Sequence, residues 1–126
     1  MNKEVITRLK ELNIEDFIWL IYLAIIFFSY YSNHLERLYF LSNKKEYKEK
    51  YRKIMIIIFS VLLVVYLYFL KDSFDSLKSL SNSDSDKKKK LVILSFLASL
   101  FIAISGFIFL YIAYKDDDLN VEIAFN

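Results

Sequence analysis

The chain has 126 residues, of which 56% are hydrophobic, 18% aromatic and 25% charged, with a net charge of +2 and no cysteine. A length of this order holds one ordinary domain; the small net charge argues against nucleic acid as a partner, and the missing thiols exclude disulfides, thiolate nucleophiles and cysteine-ligated metals. A mean hydropathy of +0.33 is compatible with so many charges only if the two are segregated along the chain.

They are segregated. Residues 17–33, 54–70 and 91–114 carry no charged side chain. A hydrocarbon core about 30 Å thick needs about 20 apolar residues of helix, with about 17 as the lower limit, and all three runs reach it. A soluble bundle would instead repeat a polar stripe along each helix. Residues 54–65 are apolar around the whole circumference, with Ser60 the one exception, and in water would expose a patch larger than a monomer tolerates. The predicted fold class is all-α: an integral membrane protein with three transmembrane helices, antiparallel, in a single membrane domain over residues 1–126, with spans at about 14–34, 53–71 and 90–114.

Residues 1–12 place Val5, Ile6, Leu9 and Leu12 at helical spacing among charged residues, which reads as an interfacial amphipathic helix or a tail. No small-residue cleavage pattern follows, so a removable signal peptide is not expected. Asn13 is suited to cap the first span, with Glu15 and Asp16 in its first turn against the positive end of the helix dipole. Beyond Asn33 the helical spacing continues through Leu35, Leu38 and Leu41, without glycine or proline, up to a turn expected at Ser42 and Asn43. Residues 44–53 then set Tyr47 and Tyr51 four apart, with Glu46 and Glu49 each four before a lysine. The first two helices are therefore predicted to extend beyond the bilayer as a helical hairpin packed through Leu38, Leu41, Tyr47 and Tyr51.

The second span continues through Phe74, Leu77 and Leu80 into residues 79–86, a flexible loop rich in Ser, Asn and Asp. Four lysines, 87–90, then abut the third run and mark a headgroup surface. Residues 116–126 form an acidic tail in which Val121, Ile123 and Phe125 alternate with polar residues, expected to be disordered or to dock on a partner. Sidedness does not follow from charge. With three crossings, the lysines and arginines divide nine to one side and eight to the other. The usual dominance of the first span tilts the reading slightly towards N-terminus outside and C-terminus inside.

Chemistry is sparse. The charge-free runs hold no group that could bind or move an ion at membrane depth, and with one glycine and no proline there is no broken helix to hold a substrate. His34, the sole histidine, lacks companions for a metal or proton relay. Asp116, Asp117 and Asp118 point three ways on a helix, and the tyrosines and Trp19 that mostly sit near the span ends read as interfacial anchors. No catalytic residue, cofactor or metal is expected. The sharpest feature lies in the third span, where Ser95, Ser99, Ala103, Gly106 and Ala113 share an arc of roughly 80° at about 100° per residue. Small residues at this spacing let helices approach closely within lipid. They form the candidate helix-packing interface, used either on the chain's own helices or on a second copy or partner.

In size, span number and charged loops the chain superficially resembles phage holins and small bacteriocin-immunity proteins, a likeness carried by no motif. The predicted function is a non-enzymatic membrane protein acting by protein–protein or helix–helix interaction, as an accessory subunit or immunity-type factor; the alternative is a holin-like oligomeric pore former. Its partners would be the lipid bilayer and a homo-oligomer or membrane protein, with no nucleic acid. The richness in Lys, Ile, Asn, Phe and Tyr is the bias of an AT-rich genome and points to the plasma membrane of a low-GC bacterium.

Overall fold

A computed structural model describes residues 2–119. Three helices make up nearly all of it: α1 (Lys3–Ser42), α2 (Lys45–Lys78) and α3 (Asp86–Lys115). Among the described residues there is no strand. All three are long and apolar enough to cross a membrane. At 1.5 Å per residue they measure roughly 60, 51 and 45 Å, each longer than a hydrocarbon core of about 30 Å.

Helix α1 is continuous where a cap was expected. Asn2 supplies the cap, its Oδ1 accepting from the Glu4 N–H at 3.0 Å, and Asn13 lies in mid-helix. A mid-helix asparagine costs only about half a kcal/mol relative to alanine. Arg8 also spans the region, with Glu11 at 3.2 Å and Glu15 at 3.4 Å. The predicted turn at residues 42–43 is present. Asn43 adopts the left-handed conformation at φ 55°, its N–H donates to the Tyr39 carbonyl at 2.7 Å, and the Ser42 hydroxyl donates to the Leu38 carbonyl at 2.7 Å. On α2, Glu46 pairs with Lys50 at 3.3 Å across one turn.

The chain divides into two compact units, one up to Ile54 and one from Met55 on. In the first, Ile18, Ser32, Leu35 and Tyr51 are buried, and the Lys48 ammonium stands 5.7 Å from the centre of the Tyr39 ring. In the second, α2 buries a helical stripe of Met55, Ile58, Phe59, Leu62 and Leu63, while Ile57 and Val64 on other faces are exposed. Phe59 stacks on Phe109 at 5.6 Å between ring centres, and Phe74 meets Phe96 at 5.9 Å.

The connection between α2 and α3 carries its own hydrogen bonds. The Asp84 carboxylate accepts from the Ser81 N–H at 2.9 Å and from the Lys88 ammonium at 3.0 Å, and Ser85 caps α3 by accepting from the Lys88 N–H at 3.1 Å. The Ser81 N–H and then Lys88 hold the Asp84 carboxyl below the ordinary carboxylate range. A depressed acid stabilises the fold above its unfolded pKa of about 4 and loses that contribution as pH falls through the folded value. Amide protection at Ser81 is therefore expected to hold at neutral pH and to decline below about pH 4, an effect that Asp84→Asn removes; hydrogen exchange checks it. The alternating residues Val121, Ile123 and Phe125 lie outside the described residues.

Candidate functional site

The small-residue face of α3 does not behave as one surface. Ala103, Gly106 and Ala113 are buried, Ser99 is half-buried and Ser95 is exposed. Gly106 faces α2 directly. A Cβ placed on it would come within 2.9 Å of Tyr66 Cδ2 and 3.2 Å of Leu63 Cδ1. Side chains of α2 pack straight onto the α3 backbone here because Gly106 has no side chain of its own, the kind of close approach that small residues permit between helices. The contact requires a hydrogen in place of a side chain and leaves little freedom, since the atom met first belongs to a ring.

Gly106→Ala trades a steric conflict against a gain in helix propensity of about 1 kcal/mol. Gly106→Leu gains nearly the same propensity but brings three further carbons into a space already closed at Cβ, and is expected to destabilise the α2–α3 pair by about 2 kcal/mol or more. Melting in detergent with Ser95→Leu, on the exposed part of the same face, as control checks it. An equal loss in both variants would show that Gly106 has no special place.

At the other end of this face the side chains are polar. Ser95 lines a crevice of about 400 Å³ together with Ser73 and Ser76 from the last turns of α2. Its remaining wall comes from the start of α3, namely Ser85, Lys87, Lys88, Leu91 and Val92. Ser73 is buried and its hydroxyl donates to the Leu70 carbonyl at 3.0 Å. Lys88 is engaged with Asp84, whereas Lys87 makes no ion pair among the described residues. No carboxylate lines the crevice.

The serines of α2 were not singled out from the sequence. Ser73 and Ser76 are three apart and so share a helix face, but their meeting with residues 85–95 depends on the connection that follows Lys78. The lysine run stood out in the sequence as a cluster of charge before the third apolar run, not as one wall of a cleft.

Elsewhere the structure assembles little reactive chemistry. Among the described residues no group of three or more His, Cys, Asp or Glu side chains comes together as a metal site would require. His34 is exposed on α1. No family model, curated protein or solved structure matches this chain.

Proposed function

We propose that this is a small integral membrane protein that acts by helix–helix or protein–protein interaction, as an accessory subunit or an immunity-type factor, and performs no catalysis of its own. The observation that carries the reading is the apolar exposure of the three helices. Phe17, Trp19, Leu20, Ile26, Phe27 and Phe28 on α1, Val64 on α2, and Phe101, Phe107 and Ile108 on α3 are all more than half exposed. Such a surface is an aggregation liability in water and an ordinary one in hydrocarbon. The helices cross the bilayer in antiparallel succession, and α1 and α2 continue past the lipid as a hairpin around Asn43. The pairing of Phe59 with Phe109 and of Phe74 with Phe96 supports the antiparallel sense for α2 and α3. The membrane is the plasma membrane of a bacterium, by the composition of the chain. A partner or a second copy docks on the helices within lipid or on the hairpin outside it.

Three measurements test this together. Single cysteines introduced as Asn43→Cys and Ser83→Cys are expected to react with an impermeant maleimide from opposite faces of the membrane; labelling from one face would mean that α2 does not cross. Mild cross-linking in native membranes is expected to give an adduct above the 15.1 kDa monomer, and a monomer alone would count against a binding role. Induced expression is expected to leave the membrane potential intact. Its collapse would favour the pore reading, for which a water-lining face is required, while α3 exposes Leu94, Leu97, Phe101, Ile104 and Ile108.

A further inference from the structure

We propose that α1 pairs along one face with the α1 of a second copy, as a parallel two-stranded coiled coil that runs through the membrane and beyond it on both sides. From Val5 to Phe40 the a and d positions of a heptad repeat, alternately four and three residues apart, form one seam. Asp16, Asn33 and Arg37 are its polar members, and the other eight of the eleven positions are apolar or aromatic. Each of those eight is at least 39% exposed. The buried residues of α1, Ile18, Ser32 and Leu35, fall instead on c and f positions, across the helix from the seam. The fold thus packs one side of the repeat and leaves the other open.

Lipid accounts only for the middle of this seam. Trp19, Leu23, Ile26 and Tyr30 belong to the charge-free run and suit hydrocarbon. Leu12, Leu9 and Val5 lie roughly 8–18 Å before that run begins, and Phe40 about 10 Å after it ends, at 1.5 Å per residue. Because α1 is continuous through Asn13, these side chains follow the axis of the span and do not lie flat among headgroups. An apolar seam that passes from water through lipid into water needs an apolar cover of the same length. The longest helix among the described residues is α1 itself, and a second copy presents the same repeat in the same direction, since identical chains insert with one orientation. The polar members fit such a pair. Asp16 and Arg37 flank the charge-free run, where water reaches them, and Asn33, at its edge, meets its own copy with a donor and an acceptor for a hydrogen bond between helices. The inference deepens the interaction reading above and rests on it, because the parallel sense requires that α1 cross the membrane.

The chain has no cysteine of its own, so single cysteines introduced into the full chain report the pairing in native membranes after oxidation with copper phenanthroline. Leu9→Cys, Ile26→Cys and Phe40→Cys, at three heights on the seam, are expected to give a disulfide-linked dimer of the 15.1 kDa chain. Thr7→Cys and Phe28→Cys, at exposed f positions across the helix, are expected to stay monomeric because their thiols stand too far apart. In the Phe40→Cys chain, Leu12→Ala keeps α1 helical and is distant from the cysteine; it is expected to lower the dimer yield about tenfold through lost seam packing. Asp16→Asn, which removes two facing carboxylates, is expected to raise it. Equal yields from seam and f-position cysteines, or a dimer insensitive to both Leu12→Ala and Asp16→Asn, would overturn the pairing. Seam cysteines that couple to a different protein would overturn the second copy as occupant. Alkaline carbonate separates the two levels: a chain that resists extraction but whose seam cysteines stay monomeric overturns the pairing alone, whereas an extractable chain overturns the membrane reading and the parallel pair with it.

Discussion

Val64→Asp is expected to prevent α2 from crossing the membrane. Val64 lies near the middle of the charge-free run 54–70 and is 68% exposed, so the new carboxylate would meet lipid and no protein partner. A charge at the centre of a membrane helix costs about 3 kcal/mol on insertion scales, roughly a hundredfold in the inserted fraction. In water the same exposed substitution would change stability by no more than about 0.5 kcal/mol. The two environments thus predict opposite results for one residue. With Ser83→Cys in the same chain, the label is expected to move to the face that Asn43→Cys occupies, because α2 no longer separates the two. Val64→Leu is expected to leave labelling as it is. An aspartate variant that behaves like the leucine one would remove the membrane reading of α2.

The second large effect is internal. Phe59 is 1% exposed, stacked against Phe109 at an interplanar angle of 31°, and belongs to the buried stripe with Met55, Leu62 and Leu63. Phe59→Ala is expected to cost about 3–4 kcal/mol, through the lost contacts and the cavity left behind. A lipid tail cannot fill a cavity that is sealed on the protein side, so the loss persists in a bilayer or micelle. Unfolding by increasing fractions of a denaturing detergent reads it as a shift in midpoint. Phe109→Ala, at a half-buried position, is expected to cost less, and the double variant to show a coupling of about 1 kcal/mol from the ring pair. Additive losses would mean that the rings do not depend on each other.

Which parts of this architecture were legible in the sequence follows from the range of the interactions involved. The number of helices follows from charge-free runs long enough to matter, and their length from the absence of proline and the single glycine; both are local properties. The turn at Asn43 was also legible, since asparagine is one of the few residues that enters the left-handed region at low cost. Asn13 has the same chemistry but lies inside α1, where Arg8 bonds across it to Glu15. A good cap residue does not make a cap when the chain on both sides favours helix. The α3 face was legible as a stripe of small residues. That Gly106 is occupied by Tyr66 and Leu63, while Ser95 instead opens on a cleft with Ser73 and Ser76, is set by how α3 lies along α2. No periodicity within α3 encodes that. Sidedness escaped for another reason, because with three crossings the basic residues divide almost equally, nine to eight, between the two sides.

The unequal apolar lengths of the helices have a consequence for the lipid itself. At 1.5 Å per residue the charge-free runs of α1 and α2 reach only about 25 Å, while that of α3 reaches about 36 Å. A bilayer about 30 Å thick is too thick for two of them and too thin for the third. In such a bilayer the relief around α1 and α2 would be a local thinning, or flanking lysine, arginine and tyrosine side chains stretching towards the headgroups, and for α3 tilt. Helices of these lengths, if they cross as proposed, would place opposite demands on lipid thickness, each costing a fraction of a kcal/mol per ångström of mismatch. Hydrophobic thickness would then be a variable that biases where the protein resides and whether it associates.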